Sequence, residues 1–101
     1  MPAEVVYQDE ELVALADINP EAPTHLLIMP VEHISSVNDL GPEHKELIGA
    51  MTLLAAKLAA EAGHADKGYR LVTNCGRQAG QAVNHLHMHM LGGRFFTWPP
   101  G

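Results

Sequence analysis

The stretch His85-Leu86-His87-Met88-His89-Met90-Leu91 sets imidazoles on alternate residues, and no other feature of the chain restricts its backbone so narrowly. In an extended strand, residues two apart share a face at steps of about 7 Å, whereas on a helix the same spacing splays them apart. Leu86, Met88 and Met90 fill the intervening positions as an apolar row fit to pack on a core while the histidines face a cleft. Gly92-Gly93 follows and should stop the strand. A strand over 84–91 is therefore predicted, with one phosphate-sized group able to touch two of the rings at once.

Such a row supports different chemistries. Neutral imidazole ligates zinc and copper, yet three groups strung along one straight strand cannot all converge on one ion; two can, helped by His25 or a carboxylate. Alternatively, a neutral imidazole nitrogen attacks an electrophile while adjacent groups manage charge and protons, and a side chain titrating near about 6.5 has the required lone pair at neutral pH. The plain alternative, a surface strand that happens to be rich in histidine, is disfavoured by strict alternation against an apolar row. The approach to the row is Asn74-Cys75-Gly76-Arg77-Gln78-Ala79-Gly80-Gln81, a loop whose glycines let backbone N–H groups come close to an oxyanion. In isolation a glycine-containing hairpin connection is the commoner explanation; leading straight into the histidines, it points to phosphate binding.

At 101 residues the chain is one domain, spanning 1–101, with a core small enough that pairing with a second copy would help stability. The single cysteine excludes an internal disulfide framework and fits a reducing, cytoplasmic setting. Met1-Pro2-Ala3-Glu4 lacks the basic start and apolar centre of a secretory leader, and no apolar stretch approaches membrane-spanning length. Twelve acidic against six basic residues give a net charge of −6, which argues against a nucleic-acid backbone as partner but not against a small nucleotide in a local pocket.

Segments 4–8 and 12–17 read as strands joined by the acidic turn Asp9-Glu10, and 26–29 as a third strand stopped by Pro30 after a loop stiffened by Pro20 and Pro23. A helix follows, with Pro42 in its first turn, Glu43 and Glu46 at its positive end, an apolar stripe of Leu47, Met51, Leu54 and Leu58, and Gly63 at its close. Segments 69–74 and 84–91 complete the strands. The expected fold is α+β: an antiparallel sheet of about five strands with one long helix packed on one face.

The histidine pattern preceded by Gly80-Gln81-Ala82-Val83 resembles the signature of the histidine-triad (HIT) nucleotide-binding superfamily. Leu91-Gly92-Gly93 followed by Trp98-Pro99-Pro100-Gly101 is similar to the Hint branch, the purine nucleoside phosphoramidases, as are Asp17-Ile18-Asn19-Pro20, Ala22-Pro23-Thr24-His25, Pro30 to Ser35 and Lys67-Gly68-Tyr69-Arg70. The resemblance covers nearly the whole chain. It implies a homodimer joined through the long helix and the strand after it, a purine nucleotide substrate, no cofactor and no metal.

It also implies roles. A phosphoramidate needs a nucleophile, donors for the phosphoryl oxygens and a proton for a poorly leaving amine. His87 corresponds to the family's nucleophile, its second ring nitrogen donating to the backbone carbonyl of His85. His89, with the N–H groups near Gly80 and Gln81, would hold the phosphoryl oxygens, and Asn74 sits at a phosphate-contacting position. His25 matches a histidine near the leaving group and His85, a candidate proton relay; read alone it is a structural residue. Asp17 fits a carboxylate gripping ribose hydroxyls, or equally a cap for the loop begun by Asn19-Pro20. Leu15, Ile18 and Leu27 would wall the base, although each also reads as ordinary core. Trp98 either anchors the tail or joins the rim of the partner's site.

Two departures stand out. Ala82 occupies a position where Hint proteins commonly carry serine, removing a hydroxyl donor, and the chain lacks the upstream strand and base-pocket residues that the family usually places ahead of Met1. His33, His44 and His64 read as exposed polar residues. The competing functions are a dinucleoside polyphosphate hydrolase of the Fhit branch, against which the Trp98-Pro99-Pro100-Gly101 ending argues, and a nucleotide-binding regulatory module, which Ala82 favours.

Overall fold

The computed structural model describes residues 4–101, so the leader reading of Met1-Pro2-Ala3 lies outside the described residues. Five strands form one antiparallel sheet: β1 (Val5–Gln8), β2 (Leu12–Ala16), β3 (Thr24–Pro30), β4 (Tyr69–Val72) and β5 (Met88–Gly92), in the order β1-β2-β3-β5-β4. One helix, α1 (Lys45–Glu61), packs against β3 and β5. This is the expected α+β architecture.

The first hairpin is closed by Asp9, whose Oδ1 accepts from the amides of Glu11 and Leu12 at 2.7 and 2.8 Å. Alternation then sorts the sheet into two faces. Leu12 and Ala14, Ile28, and Met90 are buried under α1, which contributes Met51, Leu54, Ala55, Leu58 and Ala59 to the same cluster. Of the helical stripe, Met51, Leu54 and Leu58 are therefore core, with Leu47 half-buried against them. A 3-10 turn over Pro42–His44 leads into α1, and Gly63, at φ +88°, takes the left-handed conformation beyond its end.

Element ends differ from expectation in three strands. β3 extends through Pro30, its final residue, instead of stopping before it. β5 begins at Met88, opposite Ile28, not at 84, and the chain bends over 83–85 although β3 runs on to Pro30. There the Leu86 amide donates to the Ile34 carbonyl at 2.6 Å, outside the ladder. β4 stops at Val72, opposite His89, instead of running to Asn74.

His33 is exposed as expected, but His44 and His64 are not. His44 Nδ1 accepts from the Gly41 amide at 2.9 Å, tightening the helix start. His64 Nε2 lies 2.8 Å from Thr24 Oγ1, and its ring fills the space in which a Cβ on Gly92 would sit. Both histidines tie neighbouring segments together, which their loop positions in the sequence could not reveal.

Candidate active site on the open face of the sheet

The face of the sheet away from α1 carries the chemistry. Leu15 pairs with Leu27, Leu27 with His89 and His89 with Val72, so these side chains stand in one row across four strands. His25 lies two residues before Leu27 and Asp17 two after Leu15 on the same face. Antiparallel pairing thus brings Asp17, His25 and His89 together from three strands or their ends. Asp17 Oδ2 is 3.5 Å from His25 Nε2, and His25 Nε2 is 2.8 Å from His89 Nδ1. The His87 and His89 rings are centred 5.1 Å apart.

Partners with only one possible role fix the proton on each ring. The Glu21 backbone N–H can only donate, and it meets His25 Nδ1 at 3.1 Å, so His25 carries its proton on Nε2. That proton is directed at His89 Nδ1, which must accept; His89 therefore bears its own proton on Nε2. The His85 carbonyl can only accept, and it lies 2.6 Å from His87 Nδ1, so His87 donates there and keeps a lone pair on Nε2. His85 donates from Nε2 to the Pro30 carbonyl at 2.8 Å, with its ring edge-on to His33. Of His85, His87 and His89 only His89 lies within a strand, yet the site presents a ring nitrogen with a free lone pair on His87 beside an N–H donor on His89.

Burial holds the His89 imidazole below its ordinary pKa, with the His87 and His25 rings adding to the shift and the Asp17 carboxylate opposing it. Neutral His89 is thus favoured, consistent with a donor through Nε2 alone.

His25 is buried, at 7% exposure, and it meets the third histidine of the row, not His85 as the resemblance implies. With Nδ1 accepting and its only proton shared with His89, neutral His25 could pass that proton on only by becoming an imidazolate. Its geometry suits orientation, not proton relay. Asp17 caps the loop, its Oδ1 accepting from the Asn19 amide at 2.8 Å, while Oδ2 faces His25.

The approach loop holds a 3-10 turn over Arg77–Ala79 between Gly76 and Gly80, both with positive φ. Its amides differ from expectation. The Gly80 N–H donates to the Arg77 carbonyl at 3.1 Å and the Gln81 N–H to the Gly76 carbonyl at 3.0 Å, so neither is free to meet a phosphate. The Gln81 side chain accepts from the Gly76 amide and donates to the carbonyls of Ser35 and Val83 at 2.8 and 3.0 Å, making it a brace for the loop. Ala82 follows this brace and is exposed, and Asn74 is half-buried just beyond the end of β4.

Ile18, two residues beyond the end of β2, is 57% exposed, and Trp98 is 81% exposed on a tail that shares none of the contacts joining the histidines. Sequence reasoning missed Glu21, Arg94 and the Pro30 carbonyl, all of which act through backbone or loop contacts that carry no spacing signal. Asp17, His25 and His89 place ligand-capable atoms within 4.8 Å of one another, but the nitrogens of His25 and His89 face each other across a proton, and chelation would need both lone pairs.

A fold of this kind with histidines on its open face defines a class, and the comparisons agree on it. A family model described as the HIT domain matches residues 1–96. The purine nucleoside phosphoramidase of Escherichia coli (strain K12) is 50% identical over 94 residues, covering 93% of this chain and 79% of that protein. The crystal structure of a HIT family hydrolase from Legionella pneumophila Philadelphia 1 superposes with a TM-score of 0.97 at 48% identity, over 100% of this chain and 90% of that one. A HIT family hydrolase from Clostridium thermocellum gives 0.91 at 45% identity, over 96% and 84%. The chain belongs to the HIT family.

Proposed function

We propose that this HIT-family hydrolase cleaves the P–N bond of purine nucleoside 5'-phosphoramidates, giving a nucleoside monophosphate and an amine. The observation that carries this reading is the His87 Nδ1 to His85 carbonyl contact at 2.6 Å, which leaves Nε2 as a free nucleophile. The 50% identity to a protein named purine nucleoside phosphoramidase supports the substrate class.

His87 Nε2 attacks phosphorus and the P–N bond breaks, the amine leaving with a proton taken from solvent. The nucleotidyl-imidazolium so formed keeps its Nδ1 proton on the His85 carbonyl, which spreads the positive charge. Water then attacks phosphorus, the P–His87 bond breaks, and a proton returns to solvent. His89 Nε2–H holds a phosphoryl oxygen throughout, aided by Asn74 and the loop ending at Ala82. Asp17 offers its remaining lone pairs to the ribose hydroxyls, Leu15, Ile18 and Leu27 bound the base, and Trp98 completes the rim from a second copy in a homodimer. No step uses a metal or cofactor.

The test is turnover of adenosine 5'-phosphoramidate and diadenosine triphosphate, with and without EDTA, by the native chain and by His87→Ala. Phosphoramidate should give AMP, indifferent to chelator, and the variant should lose roughly 10³-fold or more in kcat. Binding without turnover would assign a regulatory module, and preference for the dinucleotide would assign a polyphosphate hydrolase.

A further inference from the structure

The turn that follows β5 reaches back across the sheet to the loop ahead of β3. Gly93, at φ +99°, packs so closely on Pro23 that a Cβ there would lie 2.9 Å from the proline ring. The next residue, Arg94, donates from Nε to the Glu21 carbonyl at 2.9 Å. Glu21 is the residue whose amide fixes the His25 proton on Nε2, through the 3.1 Å contact with Nδ1. One residue is therefore gripped at its carbonyl and used at its amide.

The guanidinium is itself held. Nη1 donates to the Phe95 carbonyl at 3.0 Å, and the Phe96 ring lies 4.3 Å from the guanidinium carbon, with Arg70 on the same ring at 5.2 Å. An arginine fixed at both ends is a rigid strut, suited to hold a loop carbonyl in one place.

We infer that Arg94 is a positioning residue for the histidine row, holding Glu21 so that its amide sets the His25 tautomer and, through His25, the Nε2–H tautomer of His89. The inference rests on the reading of His89 as a phosphoryl donor for its catalytic consequence, but not for its structural content. Without the strut the Glu21 amide drifts from Nδ1, His25 samples both neutral tautomers, and the Nδ1–H form leaves His89 Nδ1 without its donor. His89 can then turn its proton inward, away from the substrate.

Two-bond 1H–15N NMR of the imidazoles, without substrate, tests this on the native chain, Arg94→Met and Arg94→Lys. The native protein should show His25 and His89 as single Nε2–H tautomers. Arg94→Met should move the His25 nitrogens toward averaged values with the backbone spectrum otherwise kept, and Arg94→Lys, which retains a donor, should recover part of the native pattern. In parallel, Arg94→Met should lower kcat for adenosine 5'-phosphoramidate about tenfold while KM moves less than twofold. An Nδ1–H tautomer of His25 in the native protein, or an unchanged His25 pattern in Arg94→Met, overturns the inference. A native Nδ1–H tautomer overturns it whether or not a variant folds, and should Arg94→Met fail to fold, the milder Arg94→Lys and Arg94→Gln carry the comparison. Absence of phosphoramidate turnover in the native protein would sink the proposed function while leaving the tautomer result to stand or fall alone.

Discussion

His89 is the residue on which burial and charge act most visibly. Its folded pKa is depressed below the unfolded imidazole value by burial and by the facing rings of His87 and His25. The sign follows from proton counts: between the two pKa values the unfolded chain binds more protons, so stability rises with pH through that window and is flat above it. Acidification from about pH 6.5 downward should therefore weaken the fold. Chemical denaturation across that range should show a steeper loss for the native chain than for His89→Gln, and equal slopes would mean that the ring is not held neutral. The same depression keeps His89 uncharged at neutral pH, where it donates through Nε2 alone.

Among the elements, β5 and the segment leading into it bear the site, and their junction with the helix end is tight. A methyl group on Gly92 would lie 2.6 Å from Cδ2 of His64, a ring already tied to Thr24 at the start of β3. Gly92→Ala should cost about 1–3 kcal/mol, as overpacking does, and a second change, His64→Ala, should recover part of it. Urea titrations of the single and double variants measure both effects; additive losses would show that the two residues do not meet. Elements with a strong local signal were legible in the sequence: the acidic turn between two apolar runs found the hairpin, and the stripe through Met51 found the helix and its buried face. The bend ahead of Met88 was not legible, because there the Leu86 amide and the His85 ring turn to the carbonyls of Ile34 and Pro30, partners more than fifty residues away. Within the site, His25 and Asp17 were identified as candidates, but their meeting with His89 depends on strand order. The commitment of the Gly80 and Gln81 amides inside their own loop likewise depends on a turn that glycines permit but do not specify.

At the scale of the whole molecule, α1 covers one face of the sheet and leaves the histidines on the other. The edges are β1 and β4, and among the described residues β4 has no strand partner on its outer side, beside a tail on which Phe95 and Trp98 are exposed. No helix among the described residues is long and apolar enough to cross a membrane. A homodimer joined along β4 and α1 would pair that edge and bring each tail toward the other copy's site. Light scattering at micromolar concentration should give the mass of two chains, and Trp98→Ala should raise KM more than it lowers kcat; a monomer would remove Trp98 from the site.

The most direct measurement is of the bond to phosphorus. The native chain, mixed with adenosine 5'-phosphoramidate labelled at phosphorus and quenched within milliseconds in alkaline denaturant, should carry the label as an acid-labile adduct on Nε2 of His87. Label on another residue, or turnover with no labelled protein at any time point, would contradict nucleophilic catalysis by His87.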